Sequence, residues 1–307
     1  MENKEEINLI ELIKVIWNGK YIIGSITSMT SVIAIVFSLS LSDIYRSNAS
    51  LSPVGVEGQS SGLGSQLGGL AEIAGVSMGS NAGSKITIGL EVMQSRRFFN
   101  QIATKYNIIE PLMASKDWNR STNKLIYDED IYDTKSNKWV RNPEPPMRAE
   151  PSLQEAHREF SSIFSVIQDK KTGIVTLGIE HYSPFIAKQW LDWIILEIND
   201  LSRNDDMEQA EKSIKYLKDE IRVTNLNEIK EGISELIQSQ VEKIMLAKVT
   251  PEYLFKIIDP PYVSEIKSGP SRSLICILGF LLGLVLGVLF VIIKHLISSY
   301  KLQTKSI

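Results

Sequence analysis

Two long apolar runs, one near each end of the chain, limit what this sequence can fold into. The first extends from Tyr21 to Leu41 and the second from Leu274 to Ile293. Each supplies about 20 residues, and a helix that rises about 1.5 Å per residue then crosses a hydrocarbon layer about 30 Å thick. Two crossings return the chain to its starting side. We therefore expect the 231 residues from Ser42 to Arg272 to lie together on the other side of the membrane.

The charges beside the apolar runs predict the orientation. Three lysines and no acidic residue follow the second run, and three lysines among four glutamates precede the first. Basic flanks favour the cytoplasmic side, whereas acidic residues count for little. The first run lacks a small-residue cleavage site, which favours a retained anchor over a removed signal peptide. The predicted parts are a cytoplasmic segment 1–20, a span 21–41, a domain 42–272 on the far side, a span 273–293 and a cytoplasmic tail 294–307.

The composition of the long insert excludes several classes of protein. It carries 27 basic and 32 acidic residues, a net charge of −5. A nucleic-acid partner is disfavoured, because phosphate binding relies on concentrated positive charge. The one cysteine, Cys276, lies inside the second run. The insert therefore forms no disulfide of its own and no thiolate metal site.

The insert alternates between strand-like and helix-like patterns. A glycine- and serine-rich stretch over 55–83 carries regularly spaced apolar residues such as Leu63 and Leu67, which favours a loop packed on a neighbour. A disordered surface loop is the open alternative there. Residues 118–151 are polar and proline-rich and predict an irregular excursion. The predicted strands are Ile44–Leu51, Ser162–Gln168, Gly173–His181 and Tyr253–Ile258, and the predicted shorter helices are Lys85–Tyr106 and Ser152–Phe160.

A very long helix is predicted after the third of these strands. Ser183-Pro184 is a start signal, with serine as the N-cap and proline at the first helical position. No further proline occurs before Pro251. The helix over about 184–250 would be close to 100 Å long at about 1.5 Å per residue. A break near Arg203–Asp206 or at Gly232, folding the segment into a hairpin, is the alternative.

The distal part of this helix carries only a narrow apolar stripe, as in a coiled-coil seam. Ile214, Leu217 and Ile221 lie on this stripe. One chain with a single straight helix could not bury the stripe alone, so we expect it to form a seam between subunits. The predicted fold is an α+β domain with a very long extended α-helix, anchored by two terminal transmembrane helices.

The chain carries no recognisable catalytic, cofactor-binding or metal-binding set. Its three histidines, His157, His181 and His295, have no partners at zinc-like spacing. No Gly-Lys-Ser/Thr phosphate-binding motif follows the glycines of the insert, so this chain contains no ATP-using kinase domain of that type. We therefore expect a protein without cofactors and without a catalytic residue.

The approach to the second run has two distinctive patterns. Three prolines, Pro260, Pro261 and Pro270, block regular helix and predict a stiff entry to the membrane. Glycines then recur every four residues on one helix face, which allows a second helix to approach closely. These are Gly279, Gly283 and Gly287. The general enrichment of glycine in membrane helices is the alternative explanation.

These residues resemble a known family, the polysaccharide co-polymerases, or Wzz chain-length determinants of bacterial O-antigen. The family's signature runs Pro, two residues, Pro, four residues, Ser-Pro-Lys, eleven residues, Gly, three residues, Gly. The matching residues are Pro261, Pro270, Gly283 and Gly287. Ser264, Gly269 and Ser271 replace the second proline, the serine and the lysine, and Arg272 lies beside the last. The N-terminal segment Ile7–Leu12 and the two-span plan extend the resemblance over essentially the whole chain.

The resemblance implies a ring of identical subunits, with an octamer as the favoured count, in the bacterial inner membrane. The main domain and its bundled long helices would be periplasmic and both termini cytoplasmic. Such proteins set the length of the O-antigen polysaccharide made by the Wzy polymerase and perform no chemistry themselves. The implied partners are therefore other copies of the chain, a Wzy-type polymerase, membrane lipid and the polysaccharide chain.

Three alternatives stay open. An adaptor for exopolysaccharide or capsule export would work with a separately encoded tyrosine kinase. A two-span sensor would need a cytoplasmic signalling domain, for which the 14 residues after Ile293 leave no room. A membrane-anchored glycan enzyme would need a pocket with paired carboxylates at glycosidase separation.

Overall fold

The structure is a computed structural model, and it describes residues 9–54, 80–224 and 226–304. Most of the glycine-rich stretch 55–83 lies outside these residues. The chain forms two units. One comprises the residues up to Ile44 together with those from Lys267 onward, and the other extends from Tyr45 to Ile266.

The elements follow one another in an order typical of an α+β protein. The first unit contains two helices that are long and apolar enough to cross a membrane, over Lys20–Ser40 and Arg272–His295. In chain order the elements are α1 Leu9–Asn18, α2 Lys20–Ser40, β1 Tyr45–Pro53, α3 Ser80–Gln94, α4 Arg96–Tyr106, α5 Ile109–Met113, β2 Ser115–Asn119, β3 Lys124–Tyr127, β4 Tyr132–Asp133, β5 Lys138–Trp139, α6 Leu153–Ile163, β6 Phe164–Gln168, β7 Val175–His181, α7 Pro184–Val223, α8 Asn227–Val249, β8 Phe255–Asp259 and α9 Arg272–Thr304.

A four-stranded antiparallel sheet forms the centre of the second unit, in the order β6-β7-β1-β8. Strand β1 lies between β7 and β8, with Tyr45 opposite His181 and Leu51 opposite both Val175 and Ile257. Alternate residues of β1 are buried, which is the period-two pattern of a strand with one covered face. The four predicted strands are present, with ends that differ by a few residues.

The first turns of α7 pack on this sheet. Trp190, Leu191 and Ile194 are almost fully buried in one hydrophobic core with Leu177 and Ile179 of β7. Helices α4 and α6 complete the same core, mainly through phenylalanine side chains. The apolar residues of α7 thus bury a wide face near the sheet, as expected of a helix that covers a sheet.

A very long helix is confirmed, but its predicted extent to residue 250 is wrong. Helix α7 has 40 residues and ends at Val223, Thr224 is extended, and α8 begins at Asn227. Lys243 of α8 forms an ion pair with Asp206 of α7 at 3.2 Å, so the two helices are antiparallel. The hairpin alternative is therefore the observed one, although its break lies at neither predicted position. The hairpin forms because α8 covers apolar surface that a straight helix would leave in water.

Asn199 of α7 joins the long helix to the edge strand β8. Its side-chain oxygen accepts hydrogen bonds from Leu254 N at 2.8 Å and Phe255 N at 2.9 Å. Its amide nitrogen donates to Phe255 O and to Ile195 O, each at 3.1 Å. The residue is buried, so water cannot replace these bonds.

We predict that Asn199→Ala destabilises the second unit by about 3 kcal/mol, because several buried backbone groups lose their partners. For a domain of this size, this lowers the melting temperature by roughly 6–12 °C. The control is Asn204→Ala, an exposed asparagine on the same helix, which should shift melting by less than about 2 °C. Thermal unfolding of the detergent-solubilised chain measures both. Equal shifts for the two variants would contradict this role of Asn199.

Candidate functional sites in the two units

The glycines of α9 lie on the face of that helix that contacts α2. A Cβ atom built on Gly283 would overlap Thr30 Oγ1 and would lie 3.0 Å from Thr27 Cα. The overlap with Thr30 Oγ1 is closer than a real Cβ atom approaches a neighbouring atom. The two helices therefore approach each other closely only because position 283 has no side chain.

The close approach continues along the helix pair in both directions. A Cβ on Gly279 would overlap the Ala34 side chain, and one on Gly287 would lie 3.0 Å from Ile23 Cα. By contrast, Gly24 of α2 has open space around it among the described residues. All three glycines of α9 thus contact one helix of the same chain, and we call Gly279, Gly283 and Gly287 with this α2 face the glycine seam.

An ionic cluster joins the two chain segments where the candidate membrane-spanning helices α2 and α9 meet the second unit's chain ends, between Asp43 and Arg272. Asp43 Oδ1 accepts hydrogen bonds from Lys267 Nζ at 2.9 Å and from Arg272 Nη2 at 3.0 Å. The backbone pairs at the same place, since Ile44 N donates to Gly269 O at 2.9 Å. Arg272, which lies beside the signature position that Ser271 occupies, thus has a defined partner. The Asp43 cluster was not predicted from the sequence.

The three prolines lie in the chain between β8 and α9, which contains no helix or strand. Pro260 and Pro261 follow β8 directly, and Pro261 is buried whereas Pro260 is exposed. Ser47 Oγ donates a hydrogen bond to Tyr262 O at 2.7 Å, which holds this segment beside β1. Pro270 lies two residues before α9. A role for these prolines as a stiff entry to a membrane-spanning helix stays a prediction.

Each helix of the α7–α8 hairpin covers one side of the other. Ile233 and Ala247 of α8 are buried, and Ile214, Leu217 and Ile221 of α7 are half-buried. The α7 stripe is therefore partly covered within one chain, which differs from the expectation that only another subunit could bury it. The reason is that α8 lies along it. A role for these three residues at a subunit interface stays a prediction.

The hairpin nevertheless exposes many large apolar side chains. Tyr216 is 68% exposed and Val249 is 76% exposed. Single exposed apolar residues are ordinary, but a concentration of them on one element marks an interaction surface. We call the following residues the exposed hairpin set: Tyr216, Val223, Leu226, Ile229, Leu236, Val241, Met245, Leu246 and Val249.

A buried carboxylate holds the base of the hairpin. Asp206 of α7 accepts hydrogen bonds from Lys85 Nζ of α3 and, at 2.6 Å, from the Tyr253 hydroxyl, and it pairs with Lys243 of α8. Burial raises the pKa of Asp206, but the hydrogen bonds from Lys85 and Tyr253 outweigh it, and the pKa lies below its usual value. Burial and the Asp206 carboxylate both raise the pKa of Tyr253. This Asp206 cluster connects α7 to three other segments of the chain: α3, α8 and the segment that precedes β8.

A second buried carboxylate, Glu197, lies on the same helix. It accepts hydrogen bonds from Lys105 Nζ, from the Tyr106 hydroxyl at 2.7 Å and from Gln101 Nε2 at 3.3 Å. The Tyr106 ring stacks on Trp193, with 4.1 Å between the ring centroids. All donors come from α4, so Glu197 fixes α4 against the long helix. Its oxygens are occupied by structural partners.

The two described histidines of the second unit have structural partners. Burial lowers the pKa of His181 to about 4, so its imidazole is neutral at pH 7. Its Nε2–H donates to Pro111 O at 3.2 Å, and its Nδ1 accepts from Ser183 N at 3.0 Å. Ser183 precedes α7 as predicted, but its side chain makes no capping bond. His157 Nε2 donates to Gln94 O at 3.1 Å.

No metal or catalytic set emerges from the described residues. None of the His, Cys, Asp and Glu side chains in 9–54, 80–224 and 226–304 form a group of three or more that could hold a metal ion. The buried carboxylates Glu197 and Asp206 each face a lysine and a tyrosine instead.

Comparison with known protein families finds a match in the N-terminal third of the chain. Residues 5–106 match the Wzz family of chain length determinant proteins. This match confirms the resemblance predicted from the sequence, and it includes α2, β1 and the strongly packed helix α4. No curated protein sequence matches the chain.

Solved structures of polysaccharide co-polymerases also match the chain. A full-length bacterial polysaccharide co-polymerase aligns with 11% sequence identity and a TM-score of 0.42, over 95% of this chain and 99% of that one. A fragment of WzzB, a polysaccharide co-polymerase from Salmonella Typhimurium, aligns with 10% identity and a TM-score of 0.30, over 74% of this chain and 100% of the fragment.

The glycine seam predicts that a bulky side chain at position 283 separates α9 from α2. Ser38 lies one turn beyond Ala34 on α2, and the natural Cys276 lies one turn before Gly279 on α9, so Ser38→Cys should form a disulfide with Cys276 under mild oxidation. Adding Gly283→Leu should reduce disulfide formation at least about threefold, because the leucine side chain separates the helices. Adding Gly24→Leu instead, into open space, should leave it unchanged. Cleavage of the chain between α2 and α9, followed by gel analysis, measures the fraction of disulfide-linked fragments. Equal disulfide yields in the Gly283→Leu and Gly24→Leu variants would contradict the close approach of the two helices.

The Asp206 cluster predicts a specific pH dependence. Because the folded-state pKa of Asp206 lies below its usual value, its stabilisation is present above about pH 4 and is lost as the pH falls through the folded-state pKa. We predict that Asp206→Asn lowers the free energy of unfolding by about 2 kcal/mol at pH 7 and by less at pH 3.5. The control, Asp205→Asn at the exposed neighbouring position, should change neither value. Melting curves at both pH values test this, and a constant difference would refute it.

Proposed function

We propose that this protein is a non-enzymatic regulator of O-antigen polysaccharide chain length. It acts as an oligomeric scaffold in the bacterial inner membrane, beside a Wzy-type polymerase, with its second unit in the periplasm and both termini in the cytoplasm. The match of residues 5–106 to the chain length determinant family is the observation that carries this proposal. The lysines that flank the two apolar helices support the orientation.

The hairpin supports assembly of several copies. Its exposed hairpin set presents apolar side chains that the described residues of the same chain leave 40–76% exposed. Burying a fully exposed leucine or methionine side chain contributes about 1.5–3 kcal/mol, so several such contacts can hold neighbouring subunits together. A closed ring gives every subunit the same two neighbours and leaves no hairpin unpaired. We propose an octamer, the count that the family resemblance implies.

The arrangement also supports a function without chemistry. The buried carboxylates and histidines are engaged in structural hydrogen bonds. A scaffold needs a defined shape and a stable assembly. The described contacts fix the shape of each unit, and the exposed hairpin set offers apolar surface for the assembly. The membrane helices, packed through the glycine seam, would present a constant surface to a polymerase and to surrounding lipid.

We predict that deletion of the gene changes lipopolysaccharide from a distribution with one preferred length to one without a preferred length. A plasmid copy should restore the preferred length. A copy with Leu236→Glu and Met245→Glu should not, because both charges enter the exposed hairpin set. The control, Gln238→Glu and Ser239→Glu, adds the same charge at exposed polar positions of the same helix and should restore the length. Silver-stained gels give the distribution, and membrane immunoblots verify equal protein levels.

The same strains test the alternative function. If lipopolysaccharide is unchanged on deletion but secreted exopolysaccharide or capsule loses its size distribution, the adaptor that works with a separate tyrosine kinase replaces the O-antigen proposal. If both polymers are unchanged, neither function holds. Restoration of length by the Leu236→Glu, Met245→Glu variant would remove the proposed role of the hairpin surface.

A further inference from the structure

A cleft of about 870 Å³ lies on the second unit between the start of α4, the helix α6 and the loop that precedes α6. This volume is within the range of about 300–1,000 Å³ that is typical of small-molecule sites. Its apolar lining residues are Pro146, Met147 and Pro151 of the loop. No residue of the cleft takes part in the glycine seam, the Asp206 cluster or the exposed hairpin set.

Hydrogen bonds of Arg141 and Glu155 fix the loop that forms one wall of the cleft. Arg141 Nε donates to Ala149 O at 2.7 Å, and its Nη2 donates to Arg148 O at 2.9 Å. The same guanidinium pairs with Glu155 at 3.1 Å, and Glu155 Oε2 also accepts from Ser152 N at 2.9 Å. The Arg141 hydrogen bond is the main cause that lowers the pKa of Glu155. This wall is therefore ordered, and the Glu155 charge is compensated.

Three arginines line the cleft: Arg96 from α4, Arg148 from the loop and Arg158 from α6. None of them forms an ion pair with a carboxylate of the described residues. Glu150 is the one lining carboxylate apart from the paired Glu155. The cleft thus has an excess of positive charge, although the insert as a whole is acidic.

Guanidinium groups recognise planar oxyanions through paired hydrogen bonds, and a cleft strengthens their attraction for anions. Proline and methionine surfaces beside such charges suit the apolar faces of a sugar ring. We propose that this cleft binds the carboxylate or phosphate group of an acidic saccharide, with Arg96, Arg148 and Arg158 as the anion-binding residues. This inference rests on the proposed function, because that function places the second unit beside a growing polysaccharide.

The test is calorimetric titration of the detergent-solubilised full chain with trigalacturonate, which carries carboxylates, and with glucose 1-phosphate. Uncharged maltotriose is the ligand control. The variant R96Q/R148Q/R158Q removes the three cleft charges. The matched variant R97Q/K170Q/K171Q removes three exposed positive charges outside the cleft, one of them adjacent to Arg96. Thermal melting of both variants verifies folding, and the single variants R148Q and R158Q replace the triple if it melts early.

We expect trigalacturonate, glucose 1-phosphate or both to bind the wild type and the matched variant with similar affinity. The cleft variant should bind the anionic probes at least about tenfold more weakly than the wild type does. Maltotriose should likewise bind the wild type at least about tenfold more weakly than the anionic probes do. Binding should also weaken as sodium chloride is raised, because salt screens the charges. The probe that binds identifies the group, a sugar carboxylate or a phosphate.

Three results would contradict the proposed anion binding in the cleft. They are no binding of either anionic probe to the wild type, equal binding by the cleft variant, and equal loss in the matched variant. The polymer analysis of the deletion strain is independent of this titration. A changed length distribution with no anion binding would contradict only the anion-binding proposal and would leave the chain-length function in place. Anion binding with unchanged polymers would remove the proposed chain-length function and leave an anion site.

Discussion

The length of α7 is the constraint on which the second unit depends. A helix of 40 residues is stable in water only where other elements cover its apolar side, and the sheet reaches only its first turns. Helix α8 returns along α7 after the break that follows Val223 and covers one side of the rest of α7. The hairpin then exposes apolar side chains of its own, and the proposed assembly would bury this remaining surface.

Polar contacts give the hairpin its fixed position. Glu197, Asn199 and Asp206 lie along one stretch of α7 and bind α4, β8 and the segments around α3 and α8. Each is buried and fully engaged, so loss of one partner leaves an uncompensated polar group. In the first unit, the glycine seam and the Asp43 cluster fix the two apolar helices α2 and α9 against each other. These points fix the helices relative to their neighbours within each unit.

Local patterns made much of this structure predictable. Strands β6 and β7 were expected because their residues alternate, and the start of α7 because Ser183-Pro184 is a strong signal. The break after Val223 was missed because neither proline nor glycine marks it. One signal was present, the five-residue interval between the apolar residues Ile221 and Leu226, which interrupts the three- and four-residue steps. The glycine spacing predicted a close helix approach, but only the structure identifies α2 as the partner.

The buried clusters could not be predicted, because their partners are distant in the chain. Lys85 and Asp206 are 121 residues apart, and nothing local relates them. The central claim is that copies of this chain associate through surfaces that one chain leaves exposed. The most direct test is the mass of the detergent-solubilised complex by native mass spectrometry. We predict one discrete multiple of 34.5 kDa, the octamer being favoured, with little free subunit. A stable monomer at working concentrations would contradict the claim.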